Sequence, residues 1–557
     1  MTDPVAPAVY LLAGALLIAV TRGKPRAGII LLAPLVTLWS VWQVPDGVVL
    51  AFDFLGQRIE PVEGSPLRRL FATIFAFMAF GGGLYAFRQA SRMEITASFG
   101  YAAGAVGVAF AGDLITLFVF WECMAIFSTI IVWCGNSSGA MKAGMRYAVM
   151  HVFGGVILMA GIIGVAVDTG SIEVRALSAE SVPAWLLLAG LLINAAAPPF
   201  SAWLADAYPE ASATGAVFLS AFTTKTAVLA LIMLFPGETV LVGIGLYMIF
   251  YGIIYALLEN DARRILAYSI DNQVGFMVCA IGIGTQMAIN GAAAHALAHI
   301  VYKALLFMSA GTVLYRTGKR KCTDLGGLFR TMPLTCACGI VGALSISSFP
   351  LTSGFTTKTL ISEAAVMEEM AWVYFLLAAA SAGVFLHAGI KFPWFVFFQK
   401  DSGLRPPDAP WNMAAAMVLF SGVCILLGIF PQLLYALLPY PVAYQPYTPG
   451  KVLFYLQLLL FSGLAFFLLL PAMKRTLTIT LDVDWLWRVG FPRVSSLMLA
   501  TGLRLDRAIR RQARGRFEPL RDRHEQLRRA MSGYRPIGTT TFWIAALLSI
   551  YVLFYYL

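Results

Sequence analysis

The chain has 557 residues, of which 59% are hydrophobic and 12% charged, with a formal net charge of +11 and a mean hydropathy of +0.78. Soluble domains carry about 25% charged residues, so this composition excludes an ordinary soluble fold and predicts an integral membrane protein. The positive charge does not indicate nucleic acid, because 15 Lys/Arg against 6 Asp/Glu fall between Lys474 and Arg535 and the remainder is nearly neutral. The seven cysteines sit mostly within apolar runs without zinc spacing, and Cys336-Ala-Cys338 reads as small packing residues rather than a redox pair. The first apolar run, Ala6 to Val20, lacks a basic leading region and reads as a retained span, not a cleaved signal.

Taken in chain order, apolar runs of spanning length fall near 5–22, 27–44, 68–88, 95–111, 113–134, 145–167, 184–205, 214–234, 238–257, 265–284, 287–314, 334–369, 371–392, 411–433, 451–471 and 541–557. They predict an all-α polytopic protein of about sixteen transmembrane helices, the twelfth run being too long for one straight helix. Loops after odd-numbered spans hold most of the loop Lys/Arg, for example Arg263/Arg264 and Arg316/Lys319/Arg320/Lys321. That asymmetry puts those loops in the cytoplasm and both termini on the opposite side of a plasma (inner) membrane.

Two spans are interrupted. The seventh carries Pro198-Pro199 in its middle, and the twelfth carries Ser-Ile-Ser-Ser-Phe-Pro350-Leu-Thr-Ser-Gly354. Broken helices survive in a bilayer only where they are buried in protein or line a cavity. One break in each half of a bundle points to an inverted-repeat transporter with its site at the breaks. The pentapeptide Phe-Thr-Thr-Lys-Thr occurs at 222–226 and at 355–359, a spacing that does not match the two breaks, and it reads as coincidence.

The eleventh span holds the strongest chemical signal, His295, His299 and Lys303, four residues apart in an otherwise apolar run. That spacing puts all three on one helix face, climbing about 12 Å of a hydrocarbon core roughly 30 Å thick. Intramembrane titratable groups are costly and mark ion or proton pathways. Glu122 lies midway along the fifth span, Lys225 midway along the eighth and Lys358 just past the second break. A buried carboxylate–ammonium pair can exchange its proton when either partner moves, which is what a relay needs. His151 in the sixth span is a further candidate, its alternative being a hydrogen bond to a neighbouring helix.

Beyond the fifteenth span, 494–529 is Arg-rich with interspersed leucines, and predicts an amphipathic cytoplasmic-surface segment before a last anchor helix.

With these residues assembled, the chain resembles the antiporter-like subunit family over roughly residues 95–400. That family holds the large proton-pumping membrane subunits of respiratory complex I, membrane-bound hydrogenase subunits and the large subunits of Mrp-type cation/proton antiporters. The resemblance points first to the Mrp D type. Asp113 and Trp121-Glu122 look like the family's acidic fifth helix, and Pro199-Phe-Ser-Ala-Trp203 like its broken seventh. Lys225 looks like the relay lysine of the eighth helix, His295, His299 and Lys303 like the eleventh-helix ladder, and Gly354-Phe355-Thr-Thr-Lys358 like the terminal lysine site. One departure stands out. Where the family has a lysine five residues before the Pro-Phe motif, this chain has Asn194, so Glu122 lacks its expected cation.

The resemblance implies two inverted five-helix repeats. It divides the chain into N-terminal helices (1–94), a first repeat (95–236), a second repeat (237–400), additional helices (401–473), a basic surface segment (474–538) and an anchor helix (539–557). The function it implies is a proton-translocating subunit of a multisubunit Na+/K+ to proton antiporter. Glu122 would be its gate, Lys225 the central relay, His295, His299 and Lys303 the conduit and Lys358 the terminal donor. The alternatives are a proton-pumping subunit of a complex I-like or hydrogenase complex, and a coupling subunit of an ion-driven uptake system. Each expects partner membrane subunits and the bilayer, and none expects a cofactor, a metal site or catalysis by this chain alone.

Overall fold

The computed structural model describes residues 5–54 and 56–471 and, further on, 485, 489–490, 493–504, 507 and 547–548. All of the last predicted span, 541–557, except 547–548, and most of the basic segment 474–538 lie outside the described residues; within that segment residues 493–504 are helical.

Helices α1 (Pro7–Val20) and α2 (Gly23–Val41) come first. An antiparallel hairpin of β1 (Gly47–Phe54) and β2 (Gln57–Gly64) follows, a correction to the all-α expectation. Then come α3 (Pro66–Ala86), α4 (Arg92–Phe110), α5 (Leu114–Trp133) and α6 (Ser138–Thr169). The seventh run is divided, as expected, into α7 (Val182–Asn194) and α8 (Ala202–Ala207) around a cis Pro198-Pro199 bond. The eighth is also interrupted, into α9 (Gly215–Leu219) and α10 (Thr223–Leu234). Helices α11 (Val240–Leu258), α12 (Ala262–Ile283) and α13 (Gln286–Thr317) are continuous. The twelfth run divides into α14 (Pro333–Ile346) and α15 (Ser353–Met367). After α16 (Ala371–Val384) the chain continues through π-helical turns at Phe385–Lys391 and Trp394–Phe398. Helices α17 (Trp411–Ile429), α18 (Gln432–Tyr435) and α19 (Pro449–Leu469) complete the described bundle. Twelve described helical stretches are long and apolar enough to cross a membrane.

Sequence explains where the long helices begin. Ser65, Ser91, Asp113, Ser137, Ser181, Asp261, Thr285 and Thr448 each accept a hydrogen bond from a backbone N–H of the first turn. The two 32-residue helices, α6 and α13, each end on a glycine in the left-handed region, Gly170 and Gly318. At 1.5 Å per residue each is about 48 Å long, more than a hydrocarbon core needs.

The loops separate into two clusters, one at each end of the bundle. At one end Arg263 donates to the carbonyls of Tyr208, Pro209, Ala211 and Ser212, Arg320 pairs with Glu210 at 2.6 Å, and Ser212 donates to Glu94 at 2.7 Å. Burial pushes the Asp261 carboxyl there above its ordinary range, against the opposing pull of Arg320 and Arg263. At the other end Gly112 N–H donates to Glu60, Leu177 N–H to Leu234 and Gly237 N–H to Ile281. The first cluster joins loops that follow odd-numbered spans, the second loops that follow even-numbered ones.

Candidate functional site: a buried polar chain at the helix breaks

Each mid-helix interruption frees backbone carbonyls far from water, and each finds a side-chain donor. Trp203 Nε1 donates to the carbonyl of Ile193 at 3.1 Å, at the end of α7. Lys225 Nζ donates to Ser220 at 2.7 Å, just past α9, and Lys358 Nζ to Ile346 at 2.7 Å, the last residue of α14. An unmade hydrogen bond on a buried carbonyl is costly, so these donors satisfy acceptors that the interruptions leave without a helical partner. The repeated Phe-Thr-Thr-Lys-Thr therefore has a structural sense that its linear spacing hid. In both copies the lysine follows an interruption and caps the segment before it.

All three ladder residues of α13 are fully buried. His295 stands at a crossing: Nδ1 lies 2.9 Å from Thr357 Oγ1 on α15, and Nε2 lies 3.2 Å from Gln273 Oε1 on α12. The Tyr302 hydroxyl donates to the same Gln273 oxygen at 2.9 Å. Gln273 donates to Asn272, whose Nδ2 lies 3.2 Å from His387 Nε2 in the first π-helical turn. A continuous hydrogen-bonded chain thus runs Thr357, His295, Gln273, Asn272, His387. The π-turn places His387 toward α12, a local distortion of a kind that is common at functional sites.

Lys303 Nζ donates to Ser269 Oγ at 2.8 Å and to the carbonyl of Leu266 at 3.3 Å. His299 lies between these groups with neither ring nitrogen hydrogen-bonded, its ring centroid 6.3 Å from that of His295 and 5.3 Å from that of Tyr302. The charges of Lys225 and Lys303 both act on it. Asp271, fully buried on α12, acts electrostatically on both Lys225 and Lys303. Lys358 also stands over the Phe276 ring, 4.6 Å from its centroid. Lys391, at the far end of the first π-helical turn, donates to the carbonyls of Ala256, Leu257 and Glu259 and so caps α11.

Five of the six sequence-predicted site residues are thus brought together: Lys225, His295, His299, Lys303 and Lys358. Glu122 is not. It is half-buried, forms no ion pair among the described residues, and its Oε1 makes no hydrogen bond. Its carboxylate packs on Gly155 of α6, where an added Cβ would collide with Oε1; Asn194 packs on the adjacent Gly154. The Asn194 side chain donates back to the carbonyl of Gly190 at 3.3 Å. His151 is buried against Tyr147 and Trp203 and interacts with Asn194. With Asn194, Thr223, Trp121, Met124 and Ala125 it lines a cavity of about 10 Å³, the scale of one water molecule.

Sequence reasoning passed over Asp271, Asn272, Gln273 and His387. The signal was there for three of them: Ser269-Ile-Asp-Asn-Gln273 puts four polar residues in five at the centre of a spanning run.

Comparison with known proteins places this architecture. Residues 111–385 match the family described as NADH:quinone oxidoreductase/Mrp antiporter, TM. The D-type component of the Na(+)/H(+) antiporter of Alkalihalophilus pseudofirmus is 30% identical over 370 residues, covering 61% of this chain and 71% of that protein. The N-type component of the NADH-quinone oxidoreductase of Desulforudis audaxviator is 29% identical over 372 residues, covering 62% and 71%. In the solved Mrp complex from Dietzia sp. DQ12-45-1b, one chain superposes with a TM-score of 0.70 at 23% identity, covering 79% of this chain and 97% of that one. With residues 111–385 matching the family and 30% identity sustained along 71% of a curated relative, the chain belongs to the NADH:quinone oxidoreductase/Mrp antiporter family of membrane subunits.

Proposed function

We propose that this chain is the proton-translocating membrane subunit of a multisubunit monovalent cation (Na+ or K+)/proton antiporter. The observation that carries the reading is the buried chain from Thr357 through His295, Gln273 and Asn272 to His387, flanked by Lys303 and Lys358. Imidazoles, amides and hydroxyls that both donate and accept pass a proton by exchanging roles, and the lysines supply groups able to hold it. In this reading Lys225 is the central relay, Lys358 the terminal donor, and Glu122 a gating carboxylate at the periphery. The similarity to a D-type antiporter component supports the cation/proton label. The Lys/Arg-rich loop cluster faces the cytoplasm, and the chain works against other membrane subunits.

A second reading is favoured by Asn194 and by the comparable similarity to an N-type quinone oxidoreductase component. In it the chain pumps protons within a redox complex, or couples to a partner in an uptake complex, with first-half conduction lost. The test places the whole operon in everted vesicles of an antiporter-deficient host. Sodium- or potassium-driven proton flux that vanishes in Lys303→Ala supports the antiporter. Flux that is absent in the wild type and appears with Asn194→Lys supports a subunit that serves a partner. No flux in any variant moves the assignment to a redox or uptake complex.

A further inference from the structure

In the relay reading Lys358 is the terminal donor, yet α15 continues toward the end of the bundle that carries the even-numbered loops. Glu363 lies five residues beyond Lys358, about 7.5 Å of helical rise. Between them the same broad face of α15 carries Thr359 and Ser362. That face is covered by the segment that follows α17. The Tyr435 hydroxyl donates to the carbonyl of Thr356 at 2.9 Å, and the Tyr455 hydroxyl lies 3.4 Å from Ser362 Oγ. The Tyr444 hydroxyl is buried and makes no hydrogen bond among the described residues. Phe355 is stacked on Tyr447 at 5.2 Å and meets Tyr455 edge-on at 5.5 Å, so an aromatic layer lies beside the start of this face.

At the top of the face the structure opens. A cleft of about 1100 Å³ is lined by Glu363, Lys451, Tyr435, Tyr440 and Tyr444 with the intervening loop. Across it Lys451 Nζ pairs with Glu363 Oε2 at 2.8 Å, and the same ammonium stands 4.4 Å from the centroid of the Tyr444 ring. Both partners of the pair are 30% exposed. The pair is thus partly exposed in the cleft, while Ser362 and Thr359, immediately beneath, are buried.

We propose that this cleft is the aqueous mouth of the second half of the relay, the place where hydrated protons exchange with Lys358, and that the Lys451–Glu363 pair is its outer gate. The proposal rests on the relay reading above for what passes through the mouth, but not for where the mouth is. The hydroxyls of Thr359, Ser362 and Tyr444 line the short segment between bulk water and Lys358. The ion pair, held over an aromatic ring, closes that segment while it is formed.

The test is thiol accessibility in membranes containing the complete complex, using a membrane-impermeant cationic methanethiosulfonate. Wild type sets the background, since two of its seven cysteines, Cys123 and Cys134, are only half-buried. Ser362→Cys is expected to react from one face of the membrane only. Adding Lys451→Ala is expected to raise its rate at least fivefold, and the charge swap Lys451→Glu with Glu363→Lys to restore the slow rate. Labelling from both faces, no labelling in either background, or a rate indifferent to Lys451 overturns the proposal. Should Ser362→Cys not assemble, Thr359→Cys asks the same question one turn deeper. Labelling is unaffected by Lys303→Ala if the mouth is correctly placed, so a wild type without flux would refute the relay reading while leaving this one standing or falling on its own result.

Discussion

Lys358 and Ile346 are joined across a helix break: the ammonium of one, on α15, donates at 2.7 Å to the terminal carbonyl of the other, on α14. The same residue is thus a structural cap and a candidate proton carrier. Lys358→Met is expected to abolish flux and also to leave the Ile346 carbonyl unsatisfied, at about 1–3 kcal/mol. Thermal unfolding in detergent measures the second effect. Lys358→Arg should restore most of the stability and little of the flux, because a guanidinium does not release its proton.

Gln273 is the hinge of the polar chain, touching His295, Tyr302 and Asn272 together. Gln273→Leu is expected to lower proton flux at least tenfold in a complex that still assembles, and Gln273→Glu to retain part of it. Quenching of a pH-sensitive dye in everted vesicles reads both. Flux unchanged in Gln273→Leu would route protons elsewhere, through His299.

Asp271 acts on Lys225 and Lys303 at once. Asp271→Asn preserves shape and removes the charge, and is expected to reduce flux tenfold or more without loss of assembled protein. An unaltered rate would mean that the two lysines exchange protons without its field.

Gly155 gives Glu122 its place, since a methyl group there would meet the carboxylate. Gly155→Ala improves helix propensity by about 0.5–1 kcal/mol, so the helix should not suffer. If Glu122 gates the first half, flux falls several-fold with stability kept. If flux is unchanged, the carboxylate is peripheral in function as it is in place.

Arg263 is fully buried and serves four carbonyls of the 208–212 loop. Arg263→Met strands those acceptors together, and a loss of about 3 kcal/mol or more is expected from charge-assisted bonds of this kind. Reduced assembly on native gels and a lower melting temperature would report it.

The spans were legible because apolar length is a one-dimensional signal, and the ladder because His295, His299 and Lys303 repeat at helical spacing. What closes the chain around them was not, because Gln273 and His387 matter through contacts between helices that no periodicity within one helix reveals. His387 in particular depends on a π-turn that rotates it out of the α-helical register. The interruption before Lys225 escaped notice for want of a proline or glycine in Ser220-Ala-Phe222; only the repeated pentapeptide marked it. The hairpin at 47–64 could have been suspected, since a connection of about twenty residues is long for a structureless loop. Glu122 was read from one residue type and one departure. Its residue type and depth marked it as a gate, the Asn194 in place of the family lysine left it without the expected cation, and its carboxylate packs on Gly155 away from the other five residues.

The lysine caps have one more consequence, for charge. Lys358 faces the buried carbonyl end of α14, which carries about half an elementary negative charge as the tail of an aligned array of peptide dipoles. A carboxylate counter-ion would be left as an unbalanced full charge whenever the ammonium gave up its proton. A fractional counter-charge, fixed in the backbone, leaves only half a unit of imbalance of either sign. If Lys358 carries the proton of the proposed relay, that proton needs no counter-ion to move as it arrives and departs.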